Sequence, residues 1–398
     1  MRTRRGTRNP LSARRRRART GPCLPSPPDR TARSGVAMRP SLCLCMIVKN
    51  ESSVIERCLA SVRDLVDTWV VSDTGSTDGT QDLVGKALAG IPGELVEEPW
   101  VNFGHNRSLN IARARARGAD YLLLLDADHV LRQDGPLPEL TADAYMLRHE
   151  GEVEYRIKRL VRASLPWRYE GVTHEYLTAD RDHEQRNLDA LVIEDHADGG
   201  SRHDKFERDA RLLGAELVRD PGNPRTVFYL AQTMRDMGRT GEAIGLYERR
   251  AAMGGWVEEV YYALLQAGVL AAEAGDWPAA QDALVRAWEA RPERLEAVYE
   301  LASRLRVAER HHTAHALLST VLDRPAPAED LLFVQPWVYR WGLLFEYSVT
   351  AYWVGDHAAA LDACDRLLAL PDLPAPYREQ TTANREFAIR ALGVPAQV

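Results

Sequence analysis

The strongest constraint on the fold is an alternation of short apolar runs with segments whose apolar residues recur at helical spacing. The apolar runs lie at residues 41–48, 69–71, 95–96 and 121–125. Runs that are apolar throughout are typical of strands buried on both faces, as in parallel sheets. The resulting β-α-β-α-β-α-β order predicts an α/β domain with a mainly parallel sheet and helices on both faces.

The pattern changes after Asp128. Alternation of apolar and polar residues over 155–161 is typical of an antiparallel strand. We therefore expect residues 143–195 to extend the same domain as a mixed β-structure.

From about residue 204 to its end, the chain has a helical pattern that repeats. Each copy has a glycine, a small residue five positions later and a third apolar position four residues after that. The three copies are Gly238, Ala243 and Tyr247; Gly275, Ala280 and Leu284; Gly355, Ala360 and Cys364. This spacing resembles tetratricopeptide repeats, in which helix pairs pack through small residues. A further copy around 297–318 lacks the glycine.

The resemblance implies an all-α repeat domain over residues 204–398. Helical repeats typically offer a concave surface to a partner, so a protein partner is one expectation. The alternative is a helical cap that only covers a flank of the first domain.

The ends of the chain and its bulk composition set the domain limits. Residues 1–37 carry eleven arginines and one acid, without apolar periodicity, so we expect a disordered tail. A start at Met38 is the alternative for this tail. The next domain is then 38–203.

No apolar run approaches the ~20 residues that span a bilayer. We expect a cytoplasmic protein, at most peripheral at the inner face of the membrane, and no nucleic-acid partner.

Polar residues cluster where the predicted strands end. In an open parallel sheet, ligands bind beyond the carboxyl ends of the strands. Asp126 and Asp128 directly follow the apolar run 121–125. Two carboxylates at this spacing suit a hard divalent cation such as Mn²⁺ or Mg²⁺, which neutralises a diphosphate leaving group. Taken alone, the pair is also typical of a turn that caps a strand.

Four segments in sequence resemble the family 2 glycosyltransferases of the GT-A fold. They are CMIVKNE at 45–51, VSDTGSTDGT at 71–80, NRS at 106–108 and LDAD at 125–128. The resemblance covers about 41–200. It implies an inverting transferase on a Rossmann-like GT-A domain, with a nucleotide-diphospho-sugar as donor and Mn²⁺ or Mg²⁺ as cofactor. The acceptor stays open between a protein side chain, a glycan and a lipid carrier.

The same resemblance implies roles for single residues. Glu51 and Asp73 would hold the nucleoside, Asp126 would lie on the ribose side and share the metal site, and Asp128 would bind the metal. Arg107 is a candidate phosphate contact because its planar guanidinium can pair with two oxygens. A helix-surface arginine is the plain alternative for Arg107.

The segment 167–175 resembles the part of this family that lies beside the acceptor. An inverting transfer needs a base that takes the acceptor proton as the hydroxyl attacks. Glu175 is our candidate for that base, and His174 is its neighbour or a metal contact. The alternative is that Glu175 is a surface carboxylate.

The segment 194–205 joins the two folded parts. In GT-A enzymes a loop here often closes over the diphosphate, so the resemblance implies His196 on the metal and Arg202 and Lys205 on phosphate. Gly199-Gly200 would permit that motion. A plain interdomain linker is the alternative, since Gly-Gly-Ser is typical of linkers.

Two other classes of protein compete with the transferase. A repeat scaffold with a nucleotide-sugar-binding but inactive domain predicts loss of the acids at the strand ends, whereas Asp73, Asp126, Asp128 and Glu175 are all present. A nucleotidyltransferase predicts a glycine-rich loop after the first strand, where this chain has Lys49-Asn50-Glu51.

Overall fold

The structure, a computed structural model, describes residues 39–151, 155–199, 205–330 and 332–393. A sheet domain comes first and a series of helices follows. The strands of the sheet domain are β1 (Leu42–Val48), β2 (Thr68–Asp73), β3 (Gly93–Glu97), β4 (Tyr121–Leu124), β5 (His129–Gln133), β6 (Ala144–Glu150), β7 (Tyr155–Arg162), β8 (Arg168–Glu170), β9 (Tyr176–Thr178) and β10 (Gln185–Asp195). Its helices are α1 (Ile55–Val62), α2 (Thr80–Ala87) and α3 (Phe103–Ala116).

Eight of these strands form one sheet in the order β3-β2-β1-β4-β7-β6-β10-β5. The first four are parallel, with β1 paired to β2 and β4 on either side. Strand β7 then joins β4 in the antiparallel sense. β8 and β9 form a separate antiparallel hairpin. The α/β fold with a mainly parallel sheet is therefore confirmed, and residues 143–195 extend it with strands of both senses.

Helices cover both faces of the parallel half because β1 is apolar on both sides. Leu44 and Met46 face the core that contains α1 and α2, whereas Cys43 and Cys45 face the core that contains α3. The four cysteines of the described residues are all buried and free of disulfides. Helix α2 begins after Gly79, and the carboxylate of Asp78 accepts the amide of its first residue, Thr80, at 3.1 Å.

The second part of the chain is helical throughout. Its helices are α4 (Lys205–Arg219), α5 (Pro224–Asp236), α6 (Thr240–Ala252), α7 (Val257–Glu273), α8 (Trp277–Ala290), α9 (Glu296–Val307), α10 (His311–Ser319), α11 (Leu343–Trp353), α12 (His357–Leu368) and α13 (Ala375–Ala391), with a π-helical turn at Val338–Gly342 before α11. A helical repeat domain is therefore confirmed. The predicted tail 1–37 and the predicted boundary at 203/204 lie outside the described residues, so both stay predictions. No helix in the described ranges combines the length and the apolar character that crossing a membrane requires.

The repeat spacing has a structural cause. In each of the three predicted copies, the glycine lies in the turn before the second helix and adopts a positive φ, between 71° and 89°. The small residue that follows packs against the neighbouring helix and is fully or almost fully buried. The copy without glycine obeys the same geometry: Glu309 occupies the turn with φ 59°, followed by buried Ala314 and Leu318.

Glu309 provides a test of this register. A non-glycine residue in the left-handed region costs about 1 kcal/mol or more, partly offset by the greater flexibility of glycine in the unfolded chain. We expect Glu309→Gly to raise the free energy of unfolding by about 0.5–1 kcal/mol. Gly275→Ala, where a Cβ meets open space, is expected to lower it by a similar amount. Both are measured by urea unfolding, and the same sign for the two variants would contradict the assignment.

Candidate functional site

A cavity of about 780 Å³ opens beyond the carboxyl ends of β1 and β4. It is called the main cavity below. Its walls come from the turns that follow these strands, from α3, from the turn between β8 and β9, and from the first turns of α4. Seven residues predicted from the sequence line it: Glu51, Arg107, Asp126, Asp128, His174, Glu175 and Lys205.

Asp126 lies at the end of β4 between two guanidinium groups. Its Oδ1 is 2.5 Å from an Nη of Arg107, and its Oδ2 is 3.1 Å from an Nη of Arg159. Burial alone would raise the pKa of Asp126, but the two arginines outweigh burial and hold this pKa well below its usual range. Asp126 therefore stays ionised, with both oxygens facing cations of the chain itself.

Arg107 joins Asp126 to a second carboxylate. Its Nε lies 2.8 Å from Oε1 of Glu175, and both side chains are mostly buried, with 15% and 13% of their surface exposed. Burial opposes the charge on Arg107, but the two carboxylates raise its pKa above the usual range. Arg107, for which the sequence predicts a phosphate contact, thus lies between two carboxylates in the lining of the main cavity.

Asp128 and Glu51 converge on one point beside Gly199. A Cβ built on Gly199 would lie 3.1 Å from Oδ2 of Asp128 and 3.2 Å from Oε2 of Glu51. The missing side chain therefore leaves a small space walled by two carboxylate oxygens from different strand ends. Carboxylate oxygens are the ligands that Mg²⁺ and Mn²⁺ prefer, so these residues fit a divalent cation.

Asp73 lies outside the lining of the main cavity, although its neighbour Thr74 belongs to it. Its Oδ1 accepts hydrogen bonds from the amides of Gly75 and Ser76, at 2.9 and 2.8 Å. Its Oδ2 is buried and has no hydrogen-bond partner within the described part of the chain. A buried carboxylate oxygen of this kind can accept a hydrogen bond from a bound ligand.

The segment predicted to close over a diphosphate is only partly described. Arg202 lies outside the described residues. His196 is exposed; its backbone amide donates to the carbonyl of Asp128 at 3.4 Å, and its ring Nε2 lies 3.9 Å from the carboxylate of Glu194. Lys205 begins α4 and lines the main cavity, together with Arg208 and Arg211. These two arginines were not predicted from the sequence, although basic residues three apart on one helix were the available signal.

A second group missed by the sequence analysis lies behind Asp126. His129, His149 and Asp195 place possible ligand atoms within 4.8 Å of one another. Nδ1 of His129 accepts the amide of Asp126 at 3.1 Å, and Nε2 of His149 accepts Nε of Arg159 at 3.3 Å. Each ring accepts a hydrogen bond through one nitrogen, so in the neutral ring the other nitrogen carries the proton. Because a guanidinium also adjoins His149, a cation fits this group less well than it fits Asp128 and Glu51.

The buried His149 makes stability depend on pH. Burial, together with Arg159, lowers the pKa of His149 to about 4, below the unfolded value near 6.5. As the pH falls from 6.5 towards 4, the unfolded chain takes up the proton first, so the folded protein loses stability. We expect His149→Gln, which can still accept from Arg159, to remove about 2 kcal/mol of the loss between pH 7 and pH 5. An unchanged pH dependence in urea unfolding would mean that the pKa of His149 is the same in the folded and the unfolded chain.

The part of the chain that carries most of the parallel strands matches a known protein family in sequence. Residues 43–153 match the family described as Glycosyl transferase family 2. This stretch contains β1 to β6 and the turns that carry Glu51, Asp126 and Asp128. Residues 43–153 therefore form a domain that matches the family 2 glycosyltransferases, and the helical repeats follow it.

Two known proteins are similar in sequence to parts of this chain. Over 153 residues, 35% of this chain and 36% of the relative, the sequence is 38% identical to a TPR repeat-containing protein of Synechococcus elongatus. Over 223 residues, 52% of each chain, it is 23% identical to the SPbeta prophage-derived glycosyltransferase SunS of Bacillus subtilis. The chain thus spans between about a third and a half of the length of these relatives.

Two solved structures also align with about half of the chain. A crystal structure of MamA is 17% identical and covers 48% of this chain and 92% of its own, with a TM-score of 0.32. The crystal structure of YrrB, titled a TPR protein with an unusual peptide-binding site, is 14% identical and covers 49% and 87%, with a TM-score of 0.33.

Proposed function

We propose that the protein is an inverting, metal-dependent glycosyltransferase. It moves a sugar from a nucleotide-diphospho-sugar to an acceptor that is a protein, a glycan or a lipid carrier. The observation that carries this proposal is the convergence of Asp128 and Glu51 beside Gly199, in the same cavity as the buried Arg107–Glu175 pair. One pair suits the donor and the other suits the acceptor.

On the donor side, the chain offers anionic and cationic walls. Asp128 and Glu51 would hold Mn²⁺ or Mg²⁺, which neutralises charge on the leaving diphosphate when bound. Lys205, Arg208 and Arg211 line the cavity from α4 and would contact the phosphates. Glu51 would thereby take a metal role rather than the nucleoside role. Oδ2 of Asp73, which has no hydrogen-bond partner in the part of the chain that the structure describes, would be left for the nucleoside.

On the acceptor side, Glu175 would take the proton from the attacking hydroxyl. The carboxylate of Glu175 pairs with the guanidinium of Arg107, which in turn pairs with Asp126. We assign Asp126 to this positioning role rather than to the metal, because guanidinium groups already face both of its oxygens. His174 is the neighbour of the base and has its ring turned towards the helical domain.

The class of reaction is tested by hydrolysis of the donor. UDP-, GDP- and dTDP-sugars are incubated with Mn²⁺ without acceptor, and release of the nucleoside diphosphate is read. Release from one donor that stops with EDTA supports the proposal. Absence of release from every donor, together with no binding of a nucleoside diphosphate, would favour an inactive sugar-binding domain on a repeat scaffold.

Replacing the metal-binding carboxylate should abolish metal-dependent turnover. We expect Asp128→Asn to lower Mn²⁺-stimulated release by about 100-fold or more, because a lost metal contact removes a few kcal/mol of charge stabilisation. Asp189→Asn is the matched control, since Asp189 is exposed and lies outside the main cavity. Full metal-dependent activity of Asp128→Asn would refute the metal assignment.

Replacing the base should separate turnover from donor binding. We expect Glu175→Gln to lower kcat about 100-fold or more, the range of general-base catalysis. The Kd for the nucleoside diphosphate with Mn²⁺, read by calorimetry, should stay within about twofold, because Glu175 contacts Arg107 rather than the metal site. Unchanged kcat would assign the base to another residue.

A further inference from the structure

The turn that carries Glu175 connects β8 to β9 and is called the 171–175 turn. It has an unusual backbone: Gly171 and His174 both have positive φ, at 108° and 50°. A left-handed conformation at a histidine is uncommon and persists only where the surroundings hold it. The contacts that hold it identify what Glu175 depends on.

One side of the turn is fixed by the sheet domain. The amide of Phe103, the first residue of α3, donates to the carbonyl of Val172 at 3.1 Å. A Cβ at Gly104 would lie only 2.1 Å from the carbonyl oxygen of Gly171, so α3 and the turn are in close backbone contact. The same helix carries Arg107, which pairs with Glu175.

The other side of the turn is fixed by the helical domain. Oγ1 of Thr173 donates to Oδ1 of the buried Asp209 on α4 at 3.2 Å. An Nη of Arg225 on α5 donates to the carbonyl of His174 at 2.7 Å. The ring of His174 stacks on Tyr229, with centroids 4.3 Å apart and planes 6° from parallel.

Arg225 is itself held by two aromatic rings. Its guanidinium carbon lies 4.8 Å from the ring centroid of Tyr176, next to the turn, and 4.7 Å from that of Tyr229. Cation–π contacts of this kind orient a guanidinium as well as attract it. The donated hydrogen bond and the stacked ring therefore act together on His174, the residue with the left-handed backbone.

We infer that Arg225 and Tyr229, both on helix α5 of the repeat domain, are positioning residues that hold the 171–175 turn and thereby orient Glu175 for catalysis. The repeats are then a structural part of the catalytic unit as well as a possible surface for a partner. The catalytic half of this inference rests on the proposed function, whereas the structural half, order of the turn, does not.

The test uses the full chain with two substitutions at one position. Tyr229→Phe keeps the stacked ring, and Tyr229→Leu removes it. Tyr299→Leu on α9 is the matched control, because Tyr299 packs against Trp337 far along the repeats in sequence and away from the turn. Hydrogen exchange of the peptide that contains the turn reports its order, independently of any activity.

In the same variants, donor hydrolysis gives kcat and calorimetry with the nucleoside diphosphate and Mn²⁺ gives Kd. We expect Tyr229→Leu to speed exchange in the turn at least tenfold and to lower kcat at least tenfold, with Kd within twofold. Tyr229→Phe and Tyr299→Leu should leave all three close to the wild type. Arg225→Met should behave as Tyr229→Leu does.

The outcomes are separable. Unchanged exchange in Tyr229→Leu and Arg225→Met would overturn the positioning role, whatever the activity. Faster exchange with unchanged kcat would show that the turn is held by these residues but that catalysis does not depend on it, which also overturns the inference. A wild-type protein that neither hydrolyses any donor nor binds a nucleoside diphosphate would refute the proposed function, while the exchange data would still decide whether the helical domain orders the turn.

Discussion

The guanidinium of Arg107 lies between the carboxylates of Asp126 and Glu175, and three parts of the sheet domain meet at this point. Asp126 follows the central strand β4, Arg107 comes from α3, and Glu175 belongs to the turn before β9. These segments are separate in sequence, and the buried guanidinium of Arg107 links two of their carboxylates directly. All three residues line the main cavity, so the shape of the cavity at this point depends on their relative positions.

Such a centre is stable only because its charges balance. Asp126 and Glu175 carry two negative charges, and Arg107 and Arg159 carry two positive ones. Removing one partner from a buried pair leaves an uncompensated charge, which costs far more than the net contribution of the pair. The cluster therefore adds little to the stability of the fold. It restricts the relative positions of its side chains, as expected for a site that must hold its groups in one arrangement.

The sequence revealed the parts of this site that follow from strand order. Glu51 and Asp128 were expected near one another because the carboxyl ends of parallel strands share an edge, and the apolar run before Asp126 marked such an end. It did not reveal Arg159 and His149, since alternation within an antiparallel strand does not say which face is inward. Contacts from α5 were hidden for another reason: they depend on how two domains pack, which no local pattern records.

Gly199 has a consequence for reading other sequences of this kind. Its α-hydrogen occupies a place where even a methyl group would press on Asp128 and Glu51. Both acids could persist in a descendant whose fold is intact while a single substitution at this position fills the space between them. Conserved acids alone are thus a weak marker of a working site in such a lineage. The absence of a side chain beside them is the more discriminating character.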